Sequence, residues 1–249
     1  MLLIDIGNSR IKWAVWQNNQ ITDYSAVAYS KDNLPAVLTE NLADISQPRL
    51  QQQQVFVCSV AGRAINQLVL NWFEVYWQIS AEFIETKNRQ CGVVNAYHQV
   101  SALGVDRWLG MLAAYQRHKK AVCVIDCGTA VTIDVVNETG QHLGGLIMPG
   151  MQMMQQALLT GAQRIESIQG QASSLADNTQ DAVIGGCINL LVSGLDGLYR
   201  KYSEQFNGEL ACVMTGGDGE KLASAMESNC HYEEDLILYG LYLAACSED

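Results

Sequence analysis

Apolar residues fall along this chain in short runs separated by turn-forming polar residues, and the order of runs is laid down twice. Residues 2–4 form a continuous apolar run that reaches Asp5, Gly7, Asn8 and Ser9. Residues 11–16 and 21–28 then predict two further strands, with Asn18-Asn19 as the tight turn between them. Residues 34–42 predict a helix, opened by Asp32 or Asn33 with Pro35 in its first turn. A buried strand over 55–60, an amphipathic helix over 65–72, a short strand over 82–84 and a helix over 103–117 complete the first half. The pattern then restarts. Residues 121–125 form an apolar run ending in Asp126-Cys127-Gly128-Thr129-Ala130, followed by strands over 131–136 and 145–147 around a turn at 137–140. Helices are predicted over 151–159 and 181–206, a strand over 210–214, a glycine turn at Gly216-Gly217, and two closing helices.

The two Asp-x-Gly segments lie 121 residues apart, each between two strands. Spacing of about half the chain in a shared context marks an internal duplication. The expected architecture is α/β, with an N-terminal half over 1–118 and a C-terminal half over 119–249.

Composition narrows the classes open to such a chain. Its 249 residues are 49% hydrophobic and 16% charged, enough apolar material for a sizeable core and too few charges for intrinsic disorder. The net charge of −11 repels phosphate backbones and anionic lipid, so neither nucleic acid nor a membrane surface is an expected partner. The best apolar stretch, 182–195, contains Asn189 and stops at Asp196, short of the roughly 18 residues a membrane span needs. The N-terminus lacks a basic start and meets Asp5 at once, unlike a secretory signal. The eight cysteines include no C-x-x-C pair. Cys123 and Cys127, about 13 Å apart along a strand, are too distant to be bridged. The cysteines are expected as small core hydrophobes in a reducing cytoplasm. The four histidines show no metal spacing and are expected on the surface or in loops. Gln51 to Gln54 form a polar surface tract.

Paired glycine hairpins suit phosphate chemistry. A glycine lets the backbone approach closely, so consecutive N–H groups can face phosphate oxygens. Asn8, Ser9 and Thr129 add side-chain donors. Asp5 and Asp126 are anionic and would act through Mg²⁺ or another cation. Two such hairpins facing across a cleft would grip the β- and γ-phosphates of a nucleotide. The turn Thr215-Gly216-Gly217-Asp218 is placed for adenosine.

Four segments in order carry a closer likeness: Asp5-x-Gly7-Asn8-Ser9-x-x-Lys12, Leu103-Gly104-Val105-Asp106-Arg107-Trp108, Asp126-Cys127-Gly128-Thr129-Ala130, and Gly144-Gly145-x-Ile147-x-Pro149-Gly150. Together they resemble the type III pantothenate kinases, of the acetate/sugar kinase, Hsp70 and actin superfamily. The G-x-D-R element is the specific one. The resemblance implies two duplicated ribonuclease-H-like (actin-like ATPase) halves with mixed sheets and a cleft between them. It implies ATP-dependent phosphorylation of pantothenate to 4′-phosphopantothenate, the first step towards coenzyme A, in a cytoplasmic homodimer. By its pattern Asp106 is the general base, and Tyr97, Gly104, Val105, Asp106, Arg107 and Thr179 bind substrate. Asp5, Ile6, Gly7, Asn8, Ser9, Arg10 and Lys12 bind ATP together with Thr129, Gly216 and Gly217. Asp126 matches a monovalent-cation site for K⁺ or NH₄⁺, beside Mg²⁺ on the nucleotide. Val100 stands where many relatives have proline. The helix over 181–206 is the expected interface element, through Leu190, Leu191, Leu195 and Leu198. Relatives first described as Bvg accessory factors make a non-catalytic, nucleotide-binding regulator the alternative. Another kinase or phosphatase of the superfamily, acting on acetate, a sugar or polyphosphate, is a further rival. An actin-like filament or chaperone ATPase would need more chain than is present.

Overall fold

The computed structural model of the protein describes residues 1–43, 45, 54–161 and 170–247; residues 51–53 of the glutamine tract lie outside them. In chain order the elements are β1 (Leu2–Ile6), β2 (Arg10–Gln17), β3 (Gln20–Ala28), α1 (Leu34–Leu42), β4 (Val55–Ser59), α2 (Arg63–Tyr76), β5 (Glu82–Phe83), β6 (Arg89–Gln90), β7 (Val93–Val94), a 3-10 turn (Val100–Ala102) and α3 (Val105–His118). They continue with β8 (Val122–Cys127), β9 (Ala130–Val136), β10 (His142–Pro149), α4 (Met151–Gly161), α5 (Thr179–Gln205), β11 (Ala211–Thr215), α6 (Gly219–Ala225), β12 (His231–Tyr232) and α7 (Leu236–Cys246). The chain divides into two compact units, Met1–Gln116 with Asp235–Asp249, and Arg117–Glu234.

The first unit is built on a five-stranded sheet of order β3-β2-β1-β4-β5. All five residues of β1 are buried, because it is central and covered on both faces. It runs antiparallel to β2 and parallel to β4. Asn18 and Asn19 both take positive φ, 52° and 61°, which makes the two-residue β2–β3 turn the type whose twist matches the strands. In α1, Leu34, Leu38 and Leu42 recur at i, i+4, i+8 and are buried; in α2, Ile65, Val69, Trp72 and Phe73 do the same. These face the core with Leu2, Ile4, Ile6 and Val57.

α7 is apolar nearly all round, and its contacts are with β1, β4 and β2 of the first unit. Trp16 on β2 stacks on Tyr242 with ring centroids 3.6 Å apart. Gly240 rests on the backbone carbonyl of Leu109 in α3, where a Cβ would collide. Division of the sequence at residue 118 puts this helix with the second half; its packing is with the first.

The second unit repeats the sheet as β10-β9-β8-β11-β12, with β9 antiparallel and β11 parallel to β8. The repeat of strand order and direction is the duplicated ribonuclease-H-like arrangement. α5 is long and apolar enough by composition to cross a membrane, beyond the sequence expectation. Its Val183, Cys187, Ile188, Leu191 and Leu195 are buried in the core of this unit, with Ile125, Ile133 and Met214. Three expectations are corrected here. His142 is not a surface histidine: it is 1% exposed, with Nε2 3.0 Å from Asp134 Oδ1. Cys212 and Cys230 are not free hydrophobes but a disulfide, because parallel pairing of β11 with β12 brings their Cα atoms to 4.6 Å. Leu191 and Leu195 are likewise core rather than interface residues, since their face of α5 is taken by the sheet; Leu190 is 64% exposed.

Candidate active site

In the first unit the Asp-x-Gly hairpin joins β1 to β2. Cross-strand pairing sets Asp5 opposite Lys12, with Oδ2 and Nζ 4.0 Å apart, and parallel pairing sets it beside Cys58 on β4. Asp5 is 7% exposed. Burial pushes its carboxyl above the ordinary range; Lys12 pulls it down, the charge of Asp106 pushes it up again, and a hydrogen bond from Cys58 lowers it. The hairpin is closed by Gly7 N–H donating to the Arg10 carbonyl at 3.0 Å. Asn8, Ser9 and Arg10 are exposed at its tip, while Ile6 is core.

Asp106 lies in the first turn of α3, where a carboxylate is favoured by the helix dipole. Its Oδ1 accepts the Arg107 N–H at 2.7 Å. Gly104 explains itself: a Cβ there would stand 2.6 Å from that same oxygen. Arg107 is 7% exposed, its Nη1 donates to Tyr97 Oη at 3.0 Å, and its guanidinium lies 5.7 Å from the centre of the Tyr97 ring. Tyr97 is held in turn by its N–H to Asn95 Oδ1, and Asn95 is buried. The start of α3 is fixed from behind. Trp108, fully buried, donates its indole N–H to Gln90, whose amide donates to the Ala244 carbonyl of α7. Val105, half-buried, opens the helix. The structure therefore brings Tyr97, Gly104, Val105, Asp106 and Arg107 together, and couples Asp106 electrostatically to Asp5.

In the second unit Asp126 is the penultimate residue of β8 and is half-buried; Thr129 is exposed at the hairpin tip. The turn is one residue tighter than its counterpart. Asp126 pairs with Thr132, whereas the position equivalent to Lys12 would be Ile133, and Gly128 N–H reaches the Ala130 carbonyl. Gly150 packs against the carbonyls of Gly128 and Thr129 with no room for a Cβ. Gly216, at φ +94°, sits on the same hairpin: a Cβ would meet Asp126 Oδ1 and the Cys127 carbonyl at 2.5 Å. Asp218 N–H donates to the Cys127 carbonyl at 3.1 Å. Burial, then the charges of Asp126 and Asp218, push the Cys127 thiol far up, which leaves it inert. Gly217 is exposed beside Gly216.

Thr179 is the exposed first residue of α5, and Asn178 is the cap, accepting from the Asp181 N–H. Among the described residues no three His, Cys, Asp or Glu side chains gather as a metal site. Asp5 and Asp126 each stand at a phosphate-type hairpin, with no set of three ligands around either among the described residues. That suits Mg²⁺ or a monovalent ion completed by nucleotide oxygens and water rather than by a protein cage. Cys58 and Tyr29, both against the first hairpin, were outside the sequence-derived set; no spacing links them to Asp5, and only the fold does.

The family profile of type III pantothenate kinases matches residues 1–201. The chain belongs to this family. Among its relatives, a type III pantothenate kinase from Nitrosococcus oceani is 36% identical over 248 residues, covering 97% of this chain and 92% of that one. Another from Alkalilimnicola ehrlichii is 35% identical over 246 residues, covering 96% and 95%. Of solved structures, a protein described as a Baf family transcriptional activator from Campylobacter jejuni superposes with TM-score 0.59 at 22% identity, covering 98% of this chain and 96% of that one. The activator of 2-hydroxyisocaproyl-CoA dehydratase from Clostridium difficile, with bound ADPNP, gives 0.51 at 10% identity, covering 98% and 94%. At such identities the likeness is one of fold. In this member of the family the G-x-D-R segment heads a helix held by Gln90, and its aspartate acts electrostatically on Asp5.

Proposed function

We propose that the protein transfers the γ-phosphoryl group of ATP to the terminal hydroxyl of pantothenate, giving 4′-phosphopantothenate and ADP, the first step towards coenzyme A. The observation that carries this is Asp106: a half-buried carboxylate at a helix start, next to the arginine of the family segment and within electrostatic reach of Asp5. The hydroxyl oxygen attacks the γ-phosphorus as the bond to the β-bridging oxygen breaks, and Asp106 accepts the hydroxyl proton. Arg107, with Tyr97 ordering its guanidinium, is matched to the pantothenate carboxylate or hydroxyls. Gly104 and Val105 shape the same turn, and Thr179 adds a substrate contact from α5.

Asn8, Ser9, Arg10 and Lys12, with the backbone of Ile6 and Gly7, meet the phosphates; Thr129, Gly216 and Gly217 take the rest of the nucleotide. Asp5 would hold Mg²⁺, which would supply neutralisation of phosphate charge, and Asp126 would hold K⁺ or NH₄⁺. The acceptor chemistry, the monovalent ion, a homodimer and a cytoplasmic location belong together in this reading. A purely regulatory, non-catalytic role is not favoured, since every carboxylate the transfer needs is present.

The test is ADP release with ATP, Mg²⁺ and K⁺, with and without pantothenate, for wild type and Asp106→Asn. Pantothenate-dependent turnover that falls by about 10²–10⁴ in a folded variant is expected. Undiminished kcat in Asp106→Asn would overturn the base assignment.

A further inference from the structure

The first hairpin is tied down by a side chain 22 residues away. Tyr29, just past β3, donates its hydroxyl to the Gly7 carbonyl at 2.7 Å, and its own N–H donates to the Ser9 carbonyl at 3.2 Å. Its ring packs half-buried against the core of the first unit, so the hydroxyl is delivered from a fixed base. The Gly7–Asn8 peptide is trans, since the described residues contain no cis bond. In a planar trans peptide the carbonyl and the following N–H point in opposite directions. Holding the Gly7 carbonyl inward therefore turns the Asn8 N–H outward, at the exposed tip. Glycine at position 7 offers little resistance to rotation of that plane by itself.

We propose that Tyr29 is a positioning residue for the nucleotide: its hydroxyl fixes the Gly7–Asn8 peptide plane so that the Asn8 N–H is presented to a phosphate oxygen. Tyr29 touches neither substrate nor reacting atoms. Its effect is on the cost of ordering the phosphate cradle, which falls on nucleotide binding and not on the acceptor alcohol. Burial, with the neighbouring charge of Asp5, raises the Tyr29 phenol above its ordinary value. The proposal rests on the reading of this hairpin as a phosphate site.

The experiment is Tyr29→Phe, which deletes one oxygen and keeps the ring. Calorimetric titration with ADPNP and Mg²⁺, and separately with adenosine, is set beside steady-state kinetics. The expected result is about a tenfold loss of ADPNP affinity and a matching rise in KM for ATP. Adenosine affinity, KM for pantothenate and kcat stay within twofold. Unchanged ADPNP affinity overturns the proposal. So does an equal loss for ADPNP and adenosine, the mark of a general structural defect. A wild type that binds no ADPNP removes the phosphate role of the hairpin and this proposal with it. Binding without pantothenate turnover leaves the proposal standing and removes only the acceptor.

Discussion

Asp196 shows how a single charge in this protein is held. Burial alone would push its carboxyl up, but hydrogen bonds from the Ser228 side chain and N–H, and the Arg200 guanidinium, outweigh that and hold it below the ordinary range. A depressed carboxylate contributes stability that is present above the unfolded value of about 3.9 and is lost as pH falls through the lower folded value. Asp196→Asn is expected to cost about 1 kcal/mol at neutral pH, since the exposed Arg200 end is screened. Urea melts of both proteins between neutral and acid pH should show the gap closing below the carboxylate range. A constant gap would mean that shape, not charge, is what Asn lacks. At the same scale the sequence was an uneven guide. Asp5, Gly7, Asp106 and Arg107 were legible because their neighbours along the chain carry the pattern. Tyr29, Cys58 and His142 were not, because their partners are cross-strand or distant.

The element scale is where α3 is aimed. Gln90 is 1% exposed and bridges the Trp108 indole to the Ala244 carbonyl, so two helices and the β6–β7 ribbon share one amide. Gln90→Ala leaves a buried donor and acceptor unpaired, and a loss of about 2–4 kcal/mol is expected in denaturant melts. A loss under 1 kcal/mol would mean that water replaces the amide. Strand and helix runs such as Leu34–Leu42 were plain from periodicity, whereas the helix expected over 65–72 extends in both directions, as Arg63–Tyr76. The two-residue strands β6, β7 and β12 have no room for a period, and so no signal in the sequence. The Cys212–Cys230 disulfide follows from parallel pairing of β11 and β12, which no local spacing announces.

For the whole molecule, the duplication was the most legible feature. Both sheets repeat one strand order, and the second hairpin differs by a single residue. Leu143, Ile147, Met153, Leu158 and Leu190 of the second unit are exposed apolar side chains, and the homodimer proposed above would draw its surface from them. A mass of twice 27.3 kDa by light scattering is expected, falling towards the monomer in Leu190→Glu with Ile147→Glu. A monomeric wild type at micromolar concentration would count against it.

The placement of α7 has a consequence for how the protein is made. Synthesis runs from the N-terminus, so every residue of the second unit leaves the ribosome before the helix that finishes the first. Trp16 and the backbone above Leu109 wait uncovered meanwhile, and the later-made unit is the earlier one to have its own core complete. The bridge from the Trp108 indole through Gln90 to the Ala244 carbonyl, which holds the start of α3, can form only once that helix has been made. A nascent chain thus carries both glycine hairpins before the bridge behind Asp106 can close.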